Sequence, residues 1–234
     1  MATQVVKNRP SWLGSLNIGD YASTLAMEYG AEAADNTVLT DVYRSNAGGL
    51  LTFGFSADTY ADYTDTDLAI FNGVNTAVPL TFATGTGADD ETAFMINALQ
   101  VSATPIAGTV GDMAGTNISG NAVGRLVKGI IEFNSSASSF ITSTGSQLGP
   151  VAAGQSIYAN LHVTAAAGSS LQVVVQSDDN SGFTSPTSRI VFTTTSGVTS
   201  QNLSLAGAIT EEYWRVSCNI SGGSFTFAVA LGIV

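Results

Sequence analysis

The sequence has few charged side chains: of its 234 residues only 11% are Asp, Glu, Lys or Arg, against about 25% in ordinary globular domains. Long amphipathic helices need charged outer faces, so this shortage argues against a coiled coil or a helical bundle. The charges are mostly acidic, 18 against 7 basic, which gives a formal net charge of −11 and a pI near 4.1. This balance argues against a duplex DNA-binding protein that neutralises phosphates.

Cysteine and long hydrophobic runs are also scarce. The single cysteine, Cys218, excludes an internal disulfide, so packing alone must stabilise the fold. The first twelve residues include two basic residues but no apolar segment, which predicts no secretory signal and folding in a cytoplasm. The longest apolar stretch, 225–234, is interrupted by Thr226 and Gly232 and has about half the length of a membrane span. We therefore expect no membrane partner.

Apolar and polar residues alternate along most of the chain, which predicts β-strands separated by turns rich in Gly, Asn, Ser and Pro. The expected strands are 21–27, 51–55, 78–82, 94–101, 126–133, 157–163, 171–176, 189–193, 213–220 and 225–233.

One segment, 64–73, predicts a two-turn helix instead. Thr64 followed by Asp67 is typical of a capping box, and Gly73 can end the helix. Leu68 and Phe71 would share one helical face. The predicted fold class is all-β: an N-terminal sandwich or barrel with one short helix, then a smaller C-terminal β-sandwich of immunoglobulin-like or jelly-roll-like type.

The composition changes along residues 134–156, where Ser, Thr, Gly and Pro dominate. Such a stretch is typical of a linker or domain boundary, so we predict a first domain over 1–146 and a second over 147–234. The first would hold 14 acidic and 5 basic residues, a net charge of −9, and the second a net charge of −2.

No residue pattern indicates an enzyme. The only histidine, His162, has no Cys, Asp or Glu at metal-ligand spacing, so a structural role is expected. Cys218 alternates with Val216 and Ile220, as a buried thiol would. The acidic run 58–67 lacks the spacing of a calcium-binding EF-hand loop, and the glycines between 108 and 124 form no nucleotide-binding pattern. We predict no catalytic residue, no cofactor and no metal site.

Residues 177–184 loosely resemble the Asp-box hairpin of sialidase propellers. The motif occurs once and carries an extra residue, whereas a propeller needs repeated blades. We interpret the segment as a turn in which Asp, Asn and Gly adopt unusual backbone angles.

A series of motifs runs through residues 10–135 in a distinctive order: WLGSLNI at 12–18, AADNTVLTD at 33–41, GGL at 48–50, FGF at 53–55, DLAIF at 67–71, GTVGDMA at 108–114 and GRLVKG at 124–129. This order resembles the major tail proteins, or tail-tube proteins, of long-tailed bacteriophages and related phage-derived particles. The C-terminal part resembles the β-sandwich modules that are often appended to such proteins and displayed outside the tube.

The resemblance implies a structural virion protein. Six subunits would contribute strands to a closed β-barrel around a channel, and the rings would stack into a tube. Partners would be other copies of the chain, tape-measure and other tail proteins, and viral DNA in transit; the location would be the virion tail, assembled in the host cytoplasm. An acidic channel would let DNA pass without adhering, because phosphates and carboxylates repel each other.

The resemblance also implies a loop that reaches an adjacent ring. In this sequence it corresponds to the segment 35–49, and its candidate residues are Asp35, Asn36, Thr37, Val38, Leu39, Thr40, Asp41 and Arg44.

Two other functions stay open at the level of sequence. A capsid decoration protein can also be acidic and rich in β-sandwiches. A carbohydrate-binding module would use exposed aromatic residues of the C-terminal part, namely Tyr158, Phe183, Tyr213 and Trp214, although aromatic residues in strands more often belong to the core.

Overall fold

A computed structural model describes residues 9–40, 42–61 and 66–234, and the side chains of 66–68 lie outside the description. The prediction of an all-β fold with one short helix is confirmed. Within the described residues there are sixteen β-strands, one α-helix and one 3-10 turn. No helix in this part of the chain has the length and hydrophobicity needed to cross a membrane.

The strands are β1 (Ser11–Leu13), β2 (Leu16–Asn17), β3 (Ala22–Asp35), β4 (Asn46–Tyr60), β5 (Ala77–Ala83), β6 (Thr92–Ala107), β7 (Gly115–Ala122), β8 (Val127–Ala137), β9 (Ile141–Thr142), β10 (Ser146–Gln147), β11 (Ser156–Ala166), β12 (Ser170–Asp178), β13 (Thr187–Val191), β14 (Thr199–Ala206), β15 (Tyr213–Ser221) and β16 (Phe225–Ile233). The helix α1 spans Thr66–Asn72, and the 3-10 turn spans Ile18–Asp20.

The chain forms two compact units. Unit 1 comprises Met1–Tyr21, Val78–Asn97 and Gly124–Val234, and unit 2 comprises Ala22–Ala77 and Ala98–Val123. These units do not coincide with the predicted division into 1–146 and 147–234. The physical reason is strand pairing across residue 146: β8 pairs with β16, and β9 and β10 both pair with β15.

Unit 1 contains two sheets. One has the strand order β14-β11-β16-β8-β6-β5-β1-β2, to which β6 contributes its first half, and the other has the order β10-β15-β12-β13 with β9 also paired to β15. The large buried side chains Trp214, Phe227 and Leu161 belong to one core cluster that draws on strands of both sheets.

Strand β16 is buried on both faces. Phe227, Val229 and Leu231 belong to the large cluster, while the alternating residues Ala228 and Ala230 belong to a second cluster with Trp12 and Met95. A strand covered on both sides needs apolar residues at successive positions, which explains the long apolar stretch at the end of the sequence.

Unit 2 is built on a four-stranded antiparallel sheet in the order β3-β4-β7-β6, to which β6 contributes its second half. The two hairpins are β3–β4, joined by residues 36–45, and β6–β7, joined by residues 108–114.

Two local predictions need correction. The predicted helix exists, and Gly73 follows it, donating to the carbonyls of Ala69 and Ile70; however, Ile70 is the buried residue and Phe71 is exposed. Thr64 lies outside the described residues, as do the side chains of Asp67 and Leu68.

The stretch 134–156, predicted as a linker or domain boundary, carries the end of β8 and the strands β9 and β10. Two of its serines have a partner in the fold, because Ser143 and Ser146 both donate to the carboxylate of Glu132. The stretch is rich in serine, as a linker is, but these two hydroxyl groups hydrogen-bond a buried carboxylate.

Candidate assembly surface

The sheet of unit 2 has one apolar face. Residues directly opposite each other on neighbouring strands point to the same side, and the register places Met27 opposite Phe55 and Ala57 opposite Ile118. Phe53, Phe55, Ala57 and Ile118 are buried. These side chains form the core of unit 2.

Helix α1 lies against this apolar face. Gln100 of β6 is buried and pairs in register with Gly120 of β7. Its Nε2 donates to the Ile70 carbonyl at 2.6 Å, so it satisfies a carbonyl in the last turn of the helix. The Phe55 ring occupies the space where a Cβ at Gly120 would lie, so β7 needs glycine at this position.

The opposite face, which we call the polar face, consists mainly of small, hydroxyl, amide and acidic residues in register. Glu28 pairs with Gly54, which pairs with Asn121, and the hydroxyls of Ser102 and Ser119 are 2.9 Å apart. Leu99, which pairs with Asn121, and Tyr60, which pairs with Gly115, also lie on this face. Its other members include Thr24, Ala26, Glu28, Ser56, Asp58, Ser102, Thr104, Asn117, Ser119 and Asn121. Its two charged members, Glu28 and Asp58, are acidic and exposed.

Both edges of this sheet are open. Among the described residues, β3 pairs only with β4, and the part of β6 beyond Gln100 pairs only with β7. β3 is 14 residues long and contains no proline, whereas the open part of β6 contains Pro105 and so lacks one donor. An edge strand presents a row of unpaired backbone donors and acceptors, which is a template for pairing with another chain.

Unit 2 also carries most of the exposed hydrophobic surface. Fifteen of the nineteen large hydrophobic side chains exposed among the described residues lie in unit 2, although it is the smaller unit. One of them is Val101 on the open edge of β6. Concentrated exposed apolar residues are typical of a surface that another protein covers.

The candidate inter-ring residues lie in the loop between β3 and β4. Thr37 ties the base of this loop together: its amide donates to Asp35 Oδ1 at 2.9 Å, and its Oγ1 accepts from the Ser45 amide at 2.9 Å. Hydrogen bonding from Thr37 lowers the pKa of Asp35. Arg44 Nε lies 3.9 Å from Asp35 Oδ2 in an exposed ion pair.

The end of the same loop is apolar and exposed. Leu39, Val42 and Tyr43 are more than four-fifths exposed, and Val38 is exposed as well. Asn36 and Thr40 also face solvent, and Asp41 lies outside the described residues. The structure therefore brings the predicted residues that it describes together at one hairpin end, with polar groups at its base and apolar groups beyond them.

His162 and Cys218, the two residues weighed for chemistry, are both buried. His162 is fully buried, with Nδ1 2.6 Å from the Gly14 carbonyl and Nε2 2.8 Å from Thr81 Oγ1. Since a carbonyl only accepts, Nδ1 carries the proton and Nε2 accepts from Thr81. Burial lowers the pKa of His162 to about 4. Cys218 is buried too, and burial raises the pKa of its thiol to about 11.

The segment that resembles an Asp-box is a turn closed by its own side chains. Asp178 accepts from the amides of Asn180 and Ser185 at 3.1 and 2.9 Å, and Phe183 has a positive φ of 48°. The Phe183 ring packs under the guanidinium of Arg215, 4.4 Å from the ring centroid.

Burial also bears on the carbohydrate-binding alternative. Trp214 is fully buried, Phe183 is buried, and Tyr158 and Tyr213 are half-buried. Sugar stacking needs an exposed aromatic face, so Trp214 and Phe183 cannot serve it in this fold.

Sequence reasoning missed Glu132. It and Asp178 are the two buried carboxylates of unit 1 among the described residues. Burial raises the pKa of Glu132 to about 7; the hydroxyls of Ser143 and Ser146 act against this, and the charges of Asp90 and Asp89 add to it. The signal in the sequence was a single Glu at an apolar position of a strand. Within the described residues, no group of three or more His, Cys, Asp or Glu side chains is placed to hold a metal ion.

No protein-family model matches the sequence. No curated protein matches it either.

The chain is similar to chains of several solved structures. A chain of the virion of a native gene transfer agent particle is 18% identical, with 53% of this chain and 97% of that chain covered and a TM-score of 0.40. The Dit protein of phage SPP1, described as a hub of the adsorption apparatus in phages infecting Gram-positive bacteria, is 12% identical over 97% of this chain and all of its own, with a TM-score of 0.41.

A chain from the sheath/tube terminator of an extracellular contractile injection system, PVC, is 12% identical, with 55% of this chain and 97% of that chain covered and a TM-score of 0.44. Because the three TM-scores lie below 0.5, the strands, surfaces and charges of the chain itself must support any assignment of function.

Proposed function

We propose that this chain is the repeating structural subunit of a phage-type tail tube, in which six copies form a ring and rings stack around a channel. The observation that supports it best is the sheet of unit 2, which combines two open edges with an acidic polar face.

The open edges supply the ring contact. The β3 edge of one copy would pair with the β6 edge of the next, and because the two edges differ, each copy both offers and accepts a strand. Such a head-to-tail contact closes into a ring when the rotation between copies permits it. Closure removes the exposed edges that would otherwise cause aggregation.

The polar face supplies the channel lining. When a sheet closes, one face turns inward. The polar face holds Glu28 and Asp58 and no cationic residue, so it repels phosphate, whereas the apolar face forms the core of unit 2 and is unsuited to line an aqueous channel. Viral DNA would pass in transit, and tape-measure and other tail proteins would be further partners. The site of action would be the virion tail, with assembly in the host cytoplasm and no enzymatic step.

The loop 35–44 supplies the contact between rings. Its exposed apolar residues lie at one end of the sheet, where they can reach beyond the ring to which they belong.

The test is assembly of the purified full chain, followed by negative-stain electron microscopy and native mass spectrometry. We expect rings or hollow tubes. Particles that stay monomeric at high concentration and over a range of salt would contradict the proposal. Immunogold labelling of native particles would separate it from the decoration alternative, since gold on the shaft supports a tube and gold on the head supports decoration.

A further inference from the structure

The two hairpin loops of unit 2 lie at opposite ends of its sheet. Asn46, at the start of β4, pairs with Asp35 beside the β3–β4 loop, whereas Tyr60, at the end of β4, pairs with Gly115 beside the β6–β7 loop. β4 has 15 residues, so the two loops are separated by roughly 50 Å at about 3.3 Å per residue. We call residues 36–45 the upper tip and residues 108–114 the lower tip.

Both tips end in exposed apolar side chains. In the upper tip Leu39 is fully exposed, with a relative accessibility of 107%, and in the lower tip Val110 reaches 109%. Tyr43 and Met113 are exposed beside them. Apolar groups placed this far into solvent are expected to be covered by a partner.

The two tips expose charged side chains of opposite sign, Arg44 and Asp112, and the sequence also places Asp41 in the upper tip. Arg44 is the only basic residue of unit 2 in the sequence, and it lies at the upper tip with a side chain that is 85% exposed. Asp112 lies exposed at the lower tip, where its carboxylate accepts from the hydroxyl of Thr109. A contact between the tips of two copies would bring these charges together.

We propose that the upper tip of one copy binds the lower tip of a second copy of this chain in the adjacent ring. Leu39 and Tyr43 then pack against Val110 and Met113, and Arg44 pairs with Asp112. The two surfaces are different and lie at opposite ends, so the contact repeats without closing and generates a filament. This inference rests on the proposed function, whose ring contact uses the strand edges and none of these residues.

The first experiment is crosslinking in the full chain with the substitutions Leu39→Cys and Val110→Cys. The native Cys218 is buried, so wild-type protein treated with a short bis-maleimide provides the background. We expect the double variant to give a ladder of covalent multimers in a denaturing gel, because each chain links to one copy above and one below. Each single variant should give no ladder.

Two results of this experiment overturn the inference. One is a double variant with no species beyond those of the single variants. The other is Leu39→Cys alone giving efficient dimers, since that would mean that two upper tips meet.

The second experiment reverses charges. Arg44→Glu alone and Asp112→Arg alone should each shorten tubes roughly tenfold, because each places like charges in contact. The double variant restores the opposite pair and should recover tube length. Full-length tubes in both single variants, or a double variant as short as they are, would overturn the inference.

Electron microscopy of the same samples separates the two proposals. If wild-type protein forms rings but the tip variants behave as wild type, only the tip contact fails. If wild-type protein forms neither rings nor tubes, the proposed function fails.

Discussion

Glu132 couples the stability of unit 1 to pH. Its carboxylate is buried and accepts from Ser143 and Ser146 at 2.5 and 2.6 Å, and Ser143 in turn accepts from the Val216 amide. Burial raises its pKa from the ordinary 4.5 to about 7. The folded protein therefore binds more protons than the unfolded chain between these two pH values. The contribution of Glu132 to stability is fully present below pH 4.5 and is lost as the pH rises through 7.

Replacing Glu132 with Gln should stabilise unit 1 at neutral and alkaline pH. The amide has the shape of the neutral acid and carries no charge to desolvate, so the free energy of unfolding at pH 8 should rise by up to about 3 kcal/mol, at about 1.4 kcal/mol per tenfold change in proton affinity. Near pH 4 the variant and the wild type should have the same free energy of unfolding. Urea unfolding followed by tryptophan fluorescence measures this, since both tryptophans, Trp12 and Trp214, lie in unit 1.

The matched control is Glu28→Gln, an exposed carboxylate of unit 2, which should leave the tryptophan transition unchanged at every pH. A difference between Glu132→Gln and wild type that is the same at pH 4 and pH 8 would contradict the assigned titration.

His162 affects the pH dependence of stability in the opposite sense to Glu132. Its folded pKa of about 4 lies below the ordinary 6.5, so its contribution is present above pH 6.5 and is lost as the pH falls through 4. The neutral ring fits a directed chain of hydrogen bonds: Asn202 donates to Asn160, Asn160 to Thr81, and Thr81 to His162. The sequence alone could not predict this chain of hydrogen bonds, because its members come from β5, β11 and β14.

At the scale of elements, strands in which apolar and polar residues alternate were predictable from the sequence. Strands made mostly of small and polar residues were not. Strands β4, with Phe53 and Phe55, and β15, with Val216 and Ile220, follow directly from the alternation of apolar and polar residues. β7 has the sequence GTNISGNA and resembles a turn. It forms a strand because β4 and β6 pair with it on both sides. Its glycine at position 120 leaves room for the Phe55 ring, which a Cβ there would meet.

Two glycines of the unit 2 sheet should respond differently to a methyl group. Gly120→Ala places Cβ against the Phe55 ring and the Leu99 carbonyl, so we expect a loss of about 1–3 kcal/mol from overpacking. Gly54→Ala points into the polar face, where the nearest atom is 4.0 Å away, and it should be neutral or slightly stabilising. Hydrogen exchange of the β4 and β7 amides measures both. Equal protection in the two variants would contradict this account of β7.

A charge on the open edge of β6 should block rings. Val101→Lys adds a cation beside backbone groups that must pair with another copy, and edge lysines are a known obstacle to strand pairing. We expect the ring fraction in native mass spectrometry to fall at least roughly tenfold, with circular dichroism unchanged.

The matched control for this edge is Val191→Lys, because Val191 lies on the edge strand β13 of unit 1 and is 54% exposed, against 50% for Val101. Assembly that is lost in both variants, or in neither, would count against the β6 edge as the ring contact.

At the scale of the whole molecule, the charge is divided between the two units. Unit 2 has nine acidic residues and one basic residue in the sequence, a net charge of −8, which leaves −3 for unit 1. This division of charge could not be predicted from the sequence, because unit 2 is assembled from two separate segments. Only the pairing of β3 and β4 with β7 and β6 brings the acidic residues into one body.

The concentration of charge predicts that salt promotes assembly. Bringing several copies of unit 2 together raises their mutual repulsion, which salt screens because the Debye length falls from about 30 Å at 0.01 M to about 8 Å at 0.15 M. The sedimentable fraction should therefore increase over this range. An assembly that dissolves as salt is added would mean that attractive pairs such as Arg44 and Asp112 outweigh the repulsion.

The polar face decides how an assembled tube treats DNA. Wild-type tubes should not bind duplex DNA at 0.15 M salt, because in the proposed tube Glu28 and Asp58 would face the channel and repel phosphates. The double variant Glu28→Lys/Asp58→Lys changes the charge by +4 per copy and should retain fluorescent DNA, with an affinity that falls steeply as salt is raised. The control Asp179→Lys/Glu212→Lys makes the same change at exposed positions of unit 1 and should not retain DNA in the channel. Equal binding by the two double variants would mean that total charge, and not the polar face, governs the contact.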